Sequence, residues 1–264
     1  MKSWFWNACA VCAFALVAGQ AQAAKVLVIT GDEFHEWKKT APLIKELLSK
    51  AGHTVDLTEK PGKDLTAENL AQYDVLVLNY RDTPKGAKEN PESVWSDANK
   101  KAFLDAVKGG KGLYVHHWSS AAFTADSALN KEYEKALAGG WRKQGNHGKK
   151  HEFTVTVRKD HPITAGIKEF KHPTDELYQN SVMFPESIVL ATAYAEPSID
   201  AKNSGKHEPM VWVANYGKGR VVENVLGHDT SAMGCPGFKT LLIRGVEFAA
   251  TGDTKAPLAE GLNK

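Results

Sequence analysis

The sequence predicts an α/β protein: a doubly wound, mainly parallel sheet with an antiparallel extension in the C-terminal half. Two observations carry this. In the first half, short apolar strands alternate with helical patterns, as βαβ units do. In the second half, the runs alternate apolar and polar residues, and two of them flank a glycine turn, which suits hairpins.

The elements follow in order. Lys25-Val-Leu-Val-Ile-Thr30 is a buried strand. Gly31 to Thr40 reads as a polar loop. Pro42 is expected in the first turn of a helix whose apolar positions are Leu43, Ile44, Leu47 and Leu48. Gly52 ends that helix, and His53 to Glu59 alternates as a second strand. Asp74-Val-Leu-Val-Leu-Asn79 is a third strand. A helix over about Trp95 to Val107 leads through Gly109-Gly110 into a fourth, Gly112-Leu-Tyr-Val-His116. His151 to Arg158 and Glu208 to Asn215 alternate cleanly, and Tyr216-Gly-Lys-Gly219 turns the latter back into Arg220 to Leu226. A closing helix runs from about Pro236 to Ala250. The expected organisation is a signal peptide over 1–23, one domain over 24–252 and a loosely held tail over 253–264.

The first segment has the features of a secretory signal. Lys2 is followed by an almost wholly apolar stretch from Trp4 to Ala18 and by Ala21-Gln-Ala23, an A-x-A cleavage site. The apolar run is short against the roughly 20 residues of a membrane span. A secreted or periplasmic protein without a membrane span is expected. Cys9 and Cys12 would leave with the signal, so Cys235 would remain without an internal partner. The formal charge is +2, with lysine pairs interleaved among acidic residues, and no basic stripe suits nucleic acid.

Chemistry-bearing residues collect after strands. The clusters are Asp32-Glu-Phe-His35-Glu-Trp37, His116-His117-Trp118-Ser119-Ser120, Gly139 to His151, Asp175-Glu176-Leu-Tyr178 and Gly227-His228-Asp229. Loops after the first and fourth strands of a doubly wound sheet share one edge, so the first two clusters can face one crevice. Strand alternation sends His116 and His117 to opposite sides, leaving one of them in the crevice. His147 and His151 have the i, i+4 spacing of a helical zinc pair, but Gly145, Gly148 and the following strand argue against that helix. Ser119 and Ser120 lack the flanking glycines of a serine nucleophile elbow. Cys235 lies before a helix, away from any strand-to-helix elbow. His53, His161, His172 and His207 read as background surface or loop histidines.

Together these residues resemble the trehalose-utilisation (ThuA-like) family. The landmarks are Phe34-His35-Glu36-Trp37-Lys38, Gly112 to His117, Gly140-Trp141-Arg142 with His147 and His151, and Asp160-His161-Pro162-Ile163-Thr164. Asp175 to Tyr178, Pro209 to Trp212, Gly217 to Arg220 and Leu226-Gly-His-Asp229 complete them. The resemblance implies a flavodoxin-like fold of the class I glutamine-amidotransferase type. At the elbow where those amidotransferases carry cysteine, this chain has His117, with Ser120 close behind, so a glutaminase is not expected.

The resemblance also implies a role in sugar utilisation, with a small carbohydrate as partner and a functional link to a sugar dehydrogenase that makes 3-keto derivatives. A C3 ketone acidifies the C2 proton and lets the C1 substituent leave by elimination. That route needs a base and an electrophile at the carbonyl oxygen. His117 or His228 is the expected base, with Glu176 or Asp229 orienting it. Trp37, Trp118 and Trp141 are sugar platforms, with Ser120 and Arg142 as further substrate contacts. A divalent metal, zinc or manganese, would find ligands among His35, His147 and His151, with His117, Glu176 and His228 as further candidates. A non-catalytic sugar-binding module and a metal-binding accessory protein of a sugar dehydrogenase system are the alternatives.

Overall fold

The computed structural model describes residues 23–32, 35–82, 84–123 and 128–263. Most of the expected signal peptide (residues 1–22), and Glu33 and Phe34 of the first cluster, lie outside the described residues. Among those described, nine strands form one sheet: β1 (Lys25–Ile29), β2 (Thr54–Thr58), β3 (Val75–Leu78), β4 (Gly112–His116), β5 (His151–Val157), β6 (Phe170–Asp175), β7 (Ile188–Tyr194), β8 (His207–Tyr216) and β9 (Gly219–Asn224). The order is β2-β1-β3-β4-β9-β8-β7-β5-β6. The pairs from β2 to β9 are parallel, and those from β9 to β6 are antiparallel. The antiparallel half thus continues the same sheet.

Alternation explains why the sheet is covered on both faces. Val26 and Val28 of β1, with Val75 and Val77 of β3, belong to one apolar core; Leu27, Ile29, Leu76 and Leu78 belong to the other. Helices α1 (Trp37–Lys50) and α4 (Pro236–Thr251) contribute Ile44, Leu48, Phe238, Leu242 and Val246 to the first core. Helices α2 (Asp97–Gly109) and α3 (Ala128–Leu137) contribute Phe103, Leu104, Val107, Tyr133 and Leu137 to the second. Ser96 and Asn99 start α2 with a reciprocal capping box.

Three features depart from the sequence reading. Helix α1 starts at Trp37, which places Pro42 in its interior. The Lys38 carbonyl there loses its usual i+4 donor, a cost outweighed by burying Ala41, Ile44 and Leu48. Strands β6 and β7 were not anticipated. Pro173 breaks the strand pattern of β6, and it is tolerated because β6 is the sheet's edge. The tail after Gly252, expected to be loosely held, is tied down. Glu247 accepts the Lys255 and Ala256 N–H groups, Arg244 Nε donates to the Ala256 carbonyl at 2.8 Å, and Asn263 bridges Lys168 and Gly166. These are local polar bonds, invisible to periodicity.

Among the described residues, no helix is long and apolar enough to cross a membrane.

Candidate active site

The strand order 2-1-3 reverses direction between β1 and β3, and loops leaving carboxyl ends beside such a switch build a crevice. Four clusters meet there. His35 leaves β1, His117 leaves β4, His228 follows β9, and Glu176 follows β6 directly. Their ligand-type atoms all lie within 4.8 Å of one another.

Backbone geometry aims each of them. His35 and Glu36 are both left-handed, with φ of 57° and 37°, which turns the chain sharply into α1. His117 has φ 46° and opens a 3-10 turn over His117–Ala121. Each such residue holds strain of roughly 1–3 kcal/mol, retained where the surroundings over-determine it. His117 thus enters the site because the chain leaves the extended conformation, not through strand alternation. Its neighbour His116 remains buried behind, bonded through Nδ1 to Asn79 Oδ1 at 2.9 Å, with burial lowering its pKa to about 3. Gly227 must be glycine. Its φ is 95°, and a Cβ there would lie 2.5 Å from the Phe238 ring and 2.8 Å from His116 Nε2.

Glu176 is the centre. Its carboxylate lies 3.2 Å from His228 Nδ1, 3.5 Å from His117 Nε2, 3.6 Å from His147 Nε2 and 3.7 Å from His35 Nε2. Lys150 Nζ is 3.9 Å away. Burial pushes the carboxyl pKa up, but the imidazoles of His117, His228 and His35 outweigh this and hold it far below the usual carboxylate range. Desolvation lowers His35 to about 4, so that ring is neutral at physiological pH. The His117 Nδ1–H donates to the Val225 carbonyl at 2.6 Å. This fixes the lone pair on Nε2, which accepts from the Tyr178 hydroxyl at 3.0 Å. Burial, together with the Glu176 and Asp175 carboxylates, keeps that phenol protonated.

Asp175 sets the frame. Its Oδ1 accepts the backbone N–H groups of Glu176 and His228, and its Oδ2 accepts Gly227 N–H and His172 Nε2–H. One buried carboxylate therefore docks the 227–228 loop onto the end of β6. His172, expected to be background, is fully buried between Asp175 and Cys235, whose Sγ is 3.4 Å from Nδ1. Burial alone would lower its pKa, but Asp175 and Cys235 raise it to about 9.

The remaining expected site residues divide. Trp118 and Trp141 wall the cluster: their rings are 5.5 Å apart, Trp118 is 5.2 Å from His35, and Trp141 is 4.3 Å from Tyr178. Arg81 packs its guanidinium over Trp118 at 4.2 Å. His147 stands at the outer side, stacked on Tyr178 and over a third exposed. His151 falls outside the cluster, because it begins β5 opposite Asp175 and bonds through Nδ1 to the Lys149 carbonyl. Asp229 is committed as an N-cap, accepting Ser231 and Ala232 N–H groups, so the acid beside the His228 imidazole is Glu176, 3.2 Å from Nδ1, while Asp175 holds the His228 backbone N–H. Ser120 is fully buried and accepts the Trp141 N–H, while Arg142 donates to the Ser120 and Trp141 carbonyls. Both hold the wall rather than present themselves to a ligand. Trp37 opens α1 and lines a separate cleft with Gly31, Lys60 and Asn90.

The sequence reading gave no site role to Tyr178, Asp175 or Arg81. Asp175 and Tyr178 flank Glu176 in the same short cluster, and the unrecognised strand β6 hid their placement.

Comparison with known proteins agrees with this architecture. The trehalose-utilisation (ThuA) family model matches residues 25–249. A solved protein described as ThuA-like, from Parabacteroides merdae, is 28% identical, covering 91% of this chain and 95% of its own, with a TM-score of 0.76. One from Bacteroides uniformis is 19% identical over 88% of this chain and 94% of its own, with a TM-score of 0.66. A protein from Thermoplasma acidophilum described as part of a GMP synthase shares the fold alone, at 9% identity, 88% and 96% coverage and a TM-score of 0.52. No curated protein matches. With the match running across the whole sheet, this chain belongs to the trehalose-utilisation (ThuA-like) family.

Proposed function

We propose that the protein is an exported enzyme of carbohydrate utilisation that cleaves oxidised, 3-keto glycosides. The supporting observation is the arrangement around Glu176: three inner imidazoles on a buried carboxylate, one outer imidazole, and two tryptophans beside them. Aromatic faces suit the apolar face of a sugar ring.

The outer imidazole is the better base. His117 and His228 are largely buried against Glu176, whereas His147 is open to solvent and donates its Nδ1–H to the Gly148 carbonyl at 2.8 Å. Its Nε2 lone pair is therefore available. In the proposed reaction, Nε2 takes the C2 proton and the electron pair moves into the enolate on the C3 oxygen. The Lys150 ammonium, 3.9 Å from Glu176, is the positive group at hand for electrophilic stabilisation of that oxygen. Collapse of the enolate re-forms the C3 carbonyl and expels the C1 oxygen, which leaves as the alcohol after gaining a proton. Water adding at C1 of the resulting enone gives the free 3-keto sugar. A dehydrogenase acting on the intact glycoside would supply the substrate. Export rests on the apolar segment and A-x-A site before Ala24.

The test is alcohol release from 3-keto glucosides. Wild type is expected to turn over well above buffer, and His147→Ala to lose about 10²–10⁴-fold in kcat. If His147→Ala changed affinity alone, the crevice would be a sugar-binding site. Release indistinguishable from buffer for every 3-keto glucoside tested would refute the reading.

A further inference from the structure

We propose that His35 Nε2, His117 Nε2, His228 Nδ1 and the Glu176 carboxylate bind one first-row transition-metal dication, with zinc the best match to the donors. This deepens the reading above by naming what the inner cluster holds, but metal binding is measured without substrate. Failure of either idea therefore leaves the other testable.

Spacing is the first argument. A dication with bonds of about 2.1 Å in tetrahedral geometry keeps its donors about 3.4 Å apart. The three nitrogens lie 3.2, 3.5 and 3.7 Å from the carboxylate oxygens, and all four donor atoms lie within 4.8 Å of one another, so side-chain shifts of about an ångström complete the shell. The rings meet edge to face at 5.0, 4.4 and 5.3 Å between centroids, leaving their edges free to converge.

Donor chemistry is the second. His228 Nδ1 is buried and makes no hydrogen bond, although a carboxylate oxygen is 3.2 Å away. A nitrogen so close to a carboxylate and not aligned with it suits a shared third partner. His117 has the carbonyl-anchored Nδ1 that ligating histidines usually show, which orients Nε2 and raises its basicity. Binding there would cost the Tyr178 bond and free that hydroxyl. Three imidazoles with one carboxylate favour zinc, iron, cobalt or nickel over magnesium or calcium, which prefer all-oxygen shells.

Rigidity is the third. Asp175 fixes the backbone N–H groups of both Glu176 and His228, and the left-handed conformations of His35 and His117 fix the other two donors. Four ligands are thus placed before any ion arrives.

The experiment uses Co(II) alone as the probe, on the full chain purified and then treated with chelator. One equivalent of Co(II) should survive desalting and give the intense visible bands of four- or five-coordinate cobalt. Zn(II) should displace it. Glu176→Gln and His228→Gln should each retain under a tenth of an equivalent, whereas His151→Ala should retain the wild-type amount. Proton NMR of the wild-type Co(II) protein needs no variant to fold. Three hyperfine-shifted, exchangeable imidazole N–H signals are expected. Absence of such signals, a spectrum like that of aqueous Co(II), or bands persisting in both the Glu176 and His228 variants would overturn the proposal.

Discussion

Asp175 and Glu176 are neighbours in the chain, and both are buried carboxylates among histidines, but their surroundings are opposite. Every hydrogen bond around Asp175 is aligned: two backbone N–H groups on Oδ1, and one N–H and one imidazole on Oδ2. Glu176 has imidazoles at 3.2–3.7 Å and no comparable set of aligned donors. The first is a finished structural joint. The second has capacity left over, which is what a ligand needs. Burial and charge alone would not distinguish the two; donor alignment does.

The largest expected effect separates them directly. Asp175→Ala removes a buried charge from His172 and strands three backbone donors, so stability should fall by about 3–5 kcal/mol in urea denaturation. Glu176→Ala should cost much less stability and abolish turnover. Equal losses of stability in the two variants would break the distinction.

Alkaline pH sharpens it further. His172 has a folded pKa of about 9 against about 6.5 unfolded, so its contribution is complete below 6.5 and is lost as pH rises through 9. Glu223, fully buried on β9, is raised by burial to about 8 and acts with the same sign, from its unfolded 4.5 upward. Stability measured from pH 6 to 9.5 should decline in wild type, less steeply in His172→Gln and less steeply in Glu223→Gln. A decline as steep in both variants as in wild type would contradict these assignments. Acidification should act through other groups. His35 and His116, lowered to about 4 and about 3, are neutral in the folded protein and cost stability as pH falls from 6.5 through those values.

The smallest effects concern caps. Asp229→Ala should cost about 1 kcal/mol by thermal denaturation and leave kcat within about twofold, because its carboxylate caps a short helix. Cys235→Ala should cost a similar amount, since Sγ accepts the Phe238 N–H at the start of α4. A large loss of kcat in Asp229→Ala would return that residue to the catalytic centre.

These contrasts also mark what could be read in the sequence. The apolar strands before His35 and His117 were plain, because parallel strands are continuous apolar runs, and strand ends locate a crevice. His228 was visible after a strand for the same reason. What stayed hidden depended on contacts between distant segments. Nothing near Asp229 says that it caps a helix while Asp175, over fifty residues earlier, holds the His228 backbone in place. The i, i+4 pair His147 and His151 looks symmetrical on paper, yet only His147 reaches Glu176, because the chain enters β5 between them. Pro42 pointed to a helix start, and Pro173 sits in a strand that no periodicity marks. Each lies inside an element, at a position where tertiary packing or an open edge accommodates it.

The four inner residues come from positions 35, 117, 176 and 228, each at the end of a different strand. No fragment of the chain can assemble them, and partial unfolding at either side of the sheet disperses them. Whatever occupies the cluster is therefore thermodynamically linked to the folding of the whole molecule. An occupant present at a hundred times its dissociation constant adds about 2.7 kcal/mol to global stability. The temperature of unfolding then becomes a gauge of occupancy, readable on unlabelled protein before any substrate has been identified.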